Sequence, residues 1–323
     1  MTREESKMMQ GVGILTMIFY HLFNPSFNHG LSSTVLGNMG RAANPVPLYC
    51  LLSGYGLYLV FRHGKDRHRF IRCFRLYFRY WFITALFVFV EVCLFRDYRC
   101  TFSIKEILFN ITDWKASYYP PAWFILPYCI LNLSSFWIFR ITEKKNTWII
   151  LFLAYCVYLF SSRMNNYSWF GLNIFQTLYI FFPFVLGGVM AKLDIVEKAN
   201  LILSKTNIWI VLAILALLFL LRYFIYTGAV VSFFWMGVII VVINVVRRIP
   251  YCDKVFLFFG HHNFNMWMIH AWICWYFLHD FIIRLGNPIL IYFTVLSICL
   301  IVSLILDVFI IPLESKIIRE HAK

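Results

Sequence analysis

Residues 288–311 read PILIYFTVLSICLIVSLILDVFII, an apolar run of 24 residues in which Asp307 is the one charged side chain. A helix that crosses a bilayer needs about 20 mainly apolar residues, so this run is long enough to span a membrane. Nine further runs of similar character fill most of the remaining chain. They are residues 8–24, 43–61, 80–95, 122–140, 146–161, 174–192, 207–226, 229–246 and 264–283.

The composition is typical of an integral membrane protein. Of the 323 residues, 61% are hydrophobic and 14% are charged, and the mean hydropathy is +0.73. Soluble domains have about 45–50% apolar and about 25% charged residues. We therefore predict an all-α, polytopic membrane protein with about ten transmembrane helices in one bundle, forming a single domain over residues 1–323. No small-residue cleavage site follows MTREESKMMQ, which predicts a retained first helix rather than a signal peptide.

The distribution of Lys and Arg predicts the orientation, because cytoplasmic loops carry an excess of both. If the N-terminus lies inside and ten helices alternate, 21 of the 29 Lys and Arg residues are cytoplasmic. We therefore predict that both termini are cytoplasmic. The net charge of +14 then reflects topology, and its spread over separate loops argues against nucleic-acid binding. The eight external residues are Arg41, Arg96, Arg99, Lys105, Lys115, Arg163, Arg222 and Arg284.

Ionisable groups inside a bilayer are costly and are candidates for function by default. His21 lies near the outer end of the first predicted helix, eleven residues after Gln10. Eleven residues return to the same helix face, about 16 Å further along the axis. A buried histidine is more often a packing residue than a catalyst, and the spacing alone does not decide between these roles. The other residues of this kind are Glu91, His270, His279, Asp280 and Asp307.

Two further segments and one tryptophan carry alternatives. PVPLYCLLSGYG (Pro45–Gly56) contains Ser53, Gly54 and Tyr55. The small residues of this segment suit close helix packing, and the segment suits the lining of a substrate path equally well. The basic segment Arg62–Arg79 suits either anionic lipid head groups or an anionic ligand, because Arg binds phosphate in a bidentate manner. Trp123 follows two prolines and is typical of an interfacial anchor.

Taken in order, these motifs resemble the acyltransferase-3 family of membrane O-acyltransferases. QGVGILTMIFYH gives Gln10 and His21 at the spacing at which that family has a basic residue and a histidine. YCLLSGYGL resembles the family's FFxLSGY, and Arg72-Cys-Phe-Arg75 resembles its RxxR. Pro121-Ala-Trp123-Phe-Ile resembles PxWFL, and FFPFVLGGVMAK and GHHNFNMWMIHAW are similar to later family helices.

The resemblance implies that an acyl group, with acetyl as the first candidate, passes from cytoplasmic acyl-CoA to a hydroxyl of a surface polysaccharide or lipid-linked glycan. It implies His21 as the general base and Arg72 and Arg75 as ligands of the CoA phosphates, with Gln10 near the donor. Ser53, Gly54, Tyr55 and Trp123 would line the substrate path. No metal is implied, and the expected location is the inner cell membrane.

The sequence departs from the family pattern at Gln10, which replaces a basic residue and carries no charge. Lys7 lies nearly one turn earlier and can supply a positive charge from the cytoplasmic side. Phe78 and Arg79 stand where the family usually has prolines. Two alternatives therefore stay open: a transporter or flippase, and a non-catalytic relative that binds acyl-CoA.

Overall fold

The computed structural model describes residues 1–27, 34–64, 68–95, 100, 102–164, 174–225 and 228–321. Every regular element in these ranges is helical, so the all-α prediction is confirmed for them. Some residues used in the topology prediction lie outside the described residues. They are Lys65, Arg67, Arg96, Arg99, Tyr226 and Lys323.

The described part of the chain forms fourteen α-helices, some of which are joined by short 3₁₀ or π-helical turns. The helices are α1 Arg3–Phe23, α2 Thr34–Ala42, α3 Val46–Arg62, α4 Arg69–Val90, α5 Ile104–Thr112, α6 Ile125–Lys144, α7 Thr147–Arg163, α8 Ile174–Lys192, α9 Ile195–Leu203, α10 Ile208–Phe224, α11 Val230–Val246, α12 Cys252–Ala271, α13 His279–Arg284 and α14 Pro288–His321. The 3₁₀ turns are Pro25–Phe27 and Pro120–Phe124, and the π-helical turns are Glu91–Phe95 and Trp272–Phe277.

Four helical segments are long and apolar enough to cross a membrane: Arg69–Phe95, Pro120–Lys144, Phe175–Lys192 and Pro288–Ile317. Three shorter apolar helices accompany them: Thr147–Arg163, Ile208–Phe224 and Val230–Val246. The membrane-embedded character is therefore confirmed. The count of ten spans and the cytoplasmic termini stay predictions.

Two helices begin well before the apolar runs that predicted them. The run 80–95 corresponds to α4, which starts at Arg69, and the run 264–283 begins inside α12, which starts at Cys252. Arginine is a good helix former, so the basic segment continues the helix instead of ending it. Arg72, Arg75 and Arg79 consequently lie three and four residues apart on one face of α4.

Contacts group the chain into two compact units. The first unit contains Met1–Asp66, Ser134–Tyr167 and Ile174–Asn263, and the second contains Arg67–Leu133, Ser168–Asn173 and Phe264–Lys323. Within the first unit α3 packs along α8, α8 packs on α7, and α10 packs on α11. Within the second unit α4 packs on α14.

In the first unit, α3 and α8 approach each other through glycines. A Cβ atom on Gly54 would lie 1.9 Å from the carbonyl oxygen of Phe184. A Cβ on Gly187 would lie 2.1 Å from the carbonyl oxygen of Leu51. Because both obstacles are backbone atoms, neither position has room for a side chain. The crossing therefore depends on small residues, as is common between membrane helices.

A second pair of glycines brings α1 close to α12. A Cβ on Gly11 would lie 2.0 Å from the carbonyl oxygen of Phe256, and one on Gly260 would lie 2.0 Å from that of Lys7. The two helices are therefore in close backbone contact along the turn of α1 from Lys7 to Gly11. Near its first turn α1 is also tied by Glu5, whose Oε1 lies 2.6 Å from a guanidinium nitrogen of Arg247.

In the second unit, Asp113 connects α5 to the start of α6. It adopts a left-handed conformation with φ of 56° at the end of α5, and only 2% of its surface is exposed. Its Oδ2 accepts a hydrogen bond of 2.9 Å from the backbone amide of Leu126. Burial raises the pKa of Asp113 to about 8, although the amides of Leu126 and Ile125 act in the opposite direction.

We expect Asp113 to make the stability of the protein fall as the pH rises. An unfolded Asp ionises near pH 3.9, whereas the folded carboxyl keeps its proton until about pH 8. Between these values the unfolded state binds fewer protons, so the free energy of unfolding decreases with pH. Thermal unfolding midpoints in detergent at pH 5.5 and pH 8 should show this decrease for the wild type.

Asp113→Asn is the matched variant for this effect, because Asn keeps an acceptor for the Leu126 amide and tolerates a positive φ. Its midpoint should change less with pH than that of the wild type and should be higher at pH 8. An identical pH dependence for the two proteins would show that Asp113 is ionised throughout this range.

Candidate functional site

His21 occupies the last turn of α1 and is 7% exposed. Its Nδ1 atom lies 3.2 Å from the carbonyl oxygen of Met17, which can only accept a hydrogen bond. Nδ1 therefore carries the proton, and Nε2 carries the lone pair that a general base uses. The ring packs against Tyr20 and Phe27, with centroids at 5.0 and 4.9 Å. The side chain is thus held in one orientation.

Gln10, on the same helix, is the centre of a small polar cluster. Its Oε1 accepts hydrogen bonds from Lys7 Nζ at 3.1 Å and from Asn263 Nδ2 at 2.9 Å. The Lys7 ammonium therefore lies beside the amide that replaces the family's basic residue. Sequence reasoning did not identify Asn263, because it is 253 residues away in the chain.

The three residues of the SGY motif in α3 have different environments. Ser53 Oγ donates to the carbonyl oxygen of Tyr49, four residues earlier, at 2.7 Å. Gly54 lies against the α8 backbone, as described above. Tyr55 is buried, and its hydroxyl accepts a hydrogen bond of 2.9 Å from the amino group of Met1. Gly54 therefore fills a packing role here, the first of the two readings of this motif.

Tyr49 joins this motif to the helix that carries His21. Its hydroxyl lies 3.4 Å from the carbonyl oxygen of Gln10. A Cβ on Gly13 would lie 2.7 Å from the Tyr49 ring, so that glycine makes room for it. The predicted residues Gln10, His21 and Ser53–Tyr55 thus belong to the first unit and to two helices that contact each other.

The other predicted residues, Arg72, Arg75 and Trp123, belong to the second unit. Arg72 Nε donates to Asn132 Oδ1 at 3.3 Å. Trp123 is half-buried in the 3₁₀ turn before α6, where its ring contacts that of Phe124 at 5.9 Å.

Arg75 and Arg79 share one carboxylate of α14. A guanidinium nitrogen of Arg79 lies 2.7 Å from Glu314 Oε2, and its Nε donates to the same oxygen at 2.7 Å. Arg75 Nε is further away, at 3.5 Å from Glu314 Oε1, and its side chain is 51% exposed. Glu314 therefore pairs mainly with Arg79, and Arg75 extends to the surface of the unit.

Three further ionisable residues that the sequence marked as candidates, His270, Asp307 and Glu91, have structural partners in the second unit. His270 is fully buried, and its Nδ1 lies 2.6 Å from the carbonyl oxygen of Trp267. Asn265 Nδ2 donates to Asp307 Oδ1 at 2.8 Å. Glu91 is buried within 3.6 Å of Cys100 Sγ. Among the described residues, no group of three or more His, Cys, Asp or Glu side chains is placed to hold a metal ion.

Comparison with known proteins gives one clear result. The family model described as Acyltransferase domain (Acyl_transf_3) matches residues 4–308, which include most of both units. No curated protein and no solved structure matches the chain. The matched range includes α1 with His21, the SGY motif and the Arg72–Arg75 motif. The chain therefore belongs to the acyltransferase-3 family and is a membrane acyltransferase by family.

Proposed function

We propose that this protein transfers an acyl group, with acetyl as the first candidate, from cytoplasmic acyl-CoA to a hydroxyl of a surface polysaccharide or lipid-linked glycan in the inner cell membrane. The observation that carries the proposal is the polarity of α1. Its N-terminal part holds the Lys7–Gln10–Asn263 cluster, and its last turn holds the oriented, buried imidazole of His21. The two groups are about 16 Å apart along the helix.

The proposed reaction is a direct transfer between a thioester and a hydroxyl. Nε2 of His21 accepts the proton of the acceptor hydroxyl while the hydroxyl oxygen attacks the carbonyl carbon of the thioester. The carbon–sulfur bond then breaks, the ester forms, and the CoA thiolate leaves. The imidazolium returns its proton to that thiolate, so that CoA is released as the thiol and His21 is neutral again.

Basic residues would bind the anionic donor. Arg72 and Arg75 lie on one face of α4, and guanidinium groups bind phosphates with two parallel hydrogen bonds. In the first unit the Lys7 ammonium supplies the charge that Gln10 lacks, because the two side chains share a hydrogen bond. This arrangement supports a catalytic rather than a non-catalytic relative.

Arg75 and Arg79 contact Glu314 differently, so replacing each of them with Gln should have a different effect on the protein. Arg75→Gln should raise the apparent KM for acyl-CoA about 10-fold, because a charge-assisted hydrogen bond contributes about 1.5 kcal/mol or more. It should leave the thermal midpoint unchanged, since the pair with Glu314 is long and exposed. Arg79→Gln should lower the midpoint instead, because it removes the short contacts with Glu314.

Kinetics with varied acyl-CoA, alongside unfolding curves of both variants, check this division. An unchanged KM for Arg75→Gln would exclude Arg75 as a ligand of the donor. Glu314→Gln is the control for the ion pair: it should reproduce the lower midpoint of Arg79→Gln and leave the KM near that of the wild type.

A transporter is the second candidate function. Proton-coupled transport usually relies on several carboxylates inside the membrane. Of the carboxylates that the sequence places near the ends of membrane helices, Glu91 and Asp307 accept hydrogen bonds from Cys100 and Asn265, and the exposed Asp280 lies 3.1 Å from His279. These contacts favour structural roles and give the transporter little support.

Cells with and without the protein provide the test of the proposed function. Glycans isolated from cells that make the protein should carry alkali-labile acyl esters, and glycans from cells lacking it should not. NMR spectra of both preparations would identify the acyl group and the acylated hydroxyl. Glycan that reaches the surface only when the protein is present, with no difference in esters, would favour the transporter.

A further inference from the structure

Arg222, in the last turn of α10, is a buried cation in the first unit. Only 2% of its surface is exposed. One terminal nitrogen donates to the carbonyl oxygen of Ile225 at 2.9 Å, and the other lies 3.5 Å from that of Arg41. In the described ranges Nε has no hydrogen-bond partner and no carboxylate lies at ion-pair distance. Burying a charge in this way is costly unless an anion accompanies it.

The sequence of the first unit supplies no such anion near Arg222. In the predicted topology Arg222 lies at the external end of its helix, together with Arg41 and Arg163. All acidic residues of this unit fall instead at helix ends predicted to be cytoplasmic. These residues are Glu4, Glu5, Asp66, Glu143, Asp194, Glu197 and Asp253.

The groups that interact electrostatically with Arg222 are the phenols of Tyr20, Tyr158 and Tyr179. Tyr158 and Tyr179 are hydrogen-bonded to each other, with ring centroids 4.9 Å apart. Phenol hydroxyls donate hydrogen bonds to anions, and Tyr20 and Tyr179 are only half-buried. The cluster thus combines a buried cation with partly exposed hydrogen-bond donors.

Tyr20 connects this cluster to the proposed catalytic histidine. It precedes His21 in α1, and the centroids of the two rings are 5.0 Å apart. Its phenol interacts with Arg222 and is hydrogen-bonded by the side chain of Asn24. Tyr20 therefore contacts the His21 ring and also interacts with Arg222, which links the buried cation to the proposed base.

We propose that Arg222, with the hydroxyls of Tyr20, Tyr158 and Tyr179, binds an anionic group of the acceptor, a carboxylate or a phosphate. This inference rests on the proposed function, because it assigns the acceptor to the external end of α1. A sugar carboxylate and the phosphate of a lipid-linked sugar share the required chemistry. Binding of the anion would pair the buried guanidinium and place the acceptor hydroxyl near His21.

The test measures binding to the purified full chain in detergent by thermal unfolding. Sodium glucuronate and glucose 1-phosphate serve as the carboxylate and phosphate probes, with glucose as the neutral control and constant ionic strength throughout. At least one anionic sugar should raise the midpoint in a saturable manner by about 2–4 °C, and glucose should not. The probe with the higher affinity identifies which anionic group is bound.

Three variants assign the effect to the cluster. Arg222→Gln should abolish the shift, whereas Arg163→Gln, which replaces an exposed arginine predicted on the same side, should keep it. Tyr179→Phe keeps the ring and removes one hydroxyl, so it should weaken probe affinity about 10-fold, while the ligand-free midpoint falls only by the loss of one hydrogen bond with Tyr158. The last variant decides the question even if Arg222→Gln fails to fold.

The inference is wrong if neither anionic sugar shifts the midpoint, or if Tyr179→Phe binds them as tightly as the wild type. His21→Ala should keep the shift, because His21 is not a ligand of the anion. This separates the two proposals: binding without acyl transfer would count against the catalytic function alone, and transfer without anion binding would count against this inference alone.

Discussion

His21→Ala is expected to reduce acyl transfer by about 10²–10⁴-fold, the usual contribution of a positioned general base. The imidazole is buried, and its Nδ1 proton is engaged by the carbonyl oxygen of Met17, so Nε2 is the basic atom. No other described side chain on α1 between Gln10 and His21 is a base near neutral pH. Rates of label transfer from radioactive acetyl-CoA in membranes, normalised to protein, would measure the loss.

His21→Asn separates chemistry from packing. Asn offers a donor for the Met17 carbonyl and fills part of the same space, but it cannot accept a proton. It should be as inactive as His21→Ala while unfolding near the wild-type temperature. His279→Ala serves as the histidine control, because His279 lies at the start of α13, 3.1 Å from the exposed carboxylate of Asp280, and should keep full activity. An active His21→Asn would remove His21 as the base.

Gly54→Ala is expected to cause the largest loss of stability among conservative changes in α3. The new methyl group would lie 1.9 Å from the carbonyl oxygen of Phe184, and a backbone atom cannot rotate away. Overpacking typically costs about 1–3 kcal/mol and costs more where the backbone must move. Because the added methyl group would push α3 and α8 apart, we expect the thermal midpoint of this variant to be at least about 5 °C below that of the wild type.

Gly56→Ala is the matched control, two residues further along the same helix. A Cβ at Gly56 has no heavy atom within 4 Å. Alanine is a better helix former than glycine by about 1 kcal/mol, so this variant should unfold at or above the wild-type temperature. Equal midpoints for Gly54→Ala and Gly56→Ala would mean that α3 and α8 are not in contact at Gly54.

The sequence predicts relations that depend on local periodicity. The spacing of Gln10 and His21 on one face of α1 follows from 3.6 residues per turn, and α1 has that form. Both residues belong to one helix, so a pattern within a short stretch of the chain describes their relation.

Relations between distant segments could not be predicted from these patterns. Apolar runs ended the last predicted helix at residue 311, whereas α14 continues to His321 and carries Glu314, the partner of Arg79. The packing role of Gly54 depends on the position of the Phe184 carbonyl in another helix, and no local sequence pattern encodes that position. Arg222 was counted only as an external charge, because its burial arises from tertiary packing.

The most direct test of the central claim uses the purified protein reconstituted in vesicles with a glycan acceptor extract and labelled acetyl-CoA. The wild type should produce acceptor-bound label that hydroxylamine releases, as expected for an ester, and His21→Asn at equal amount should produce only background. Equal ester formation by the two proteins would contradict the assignment of His21. No ester from the wild type with any of several acyl-CoA donors would contradict acyl transfer itself.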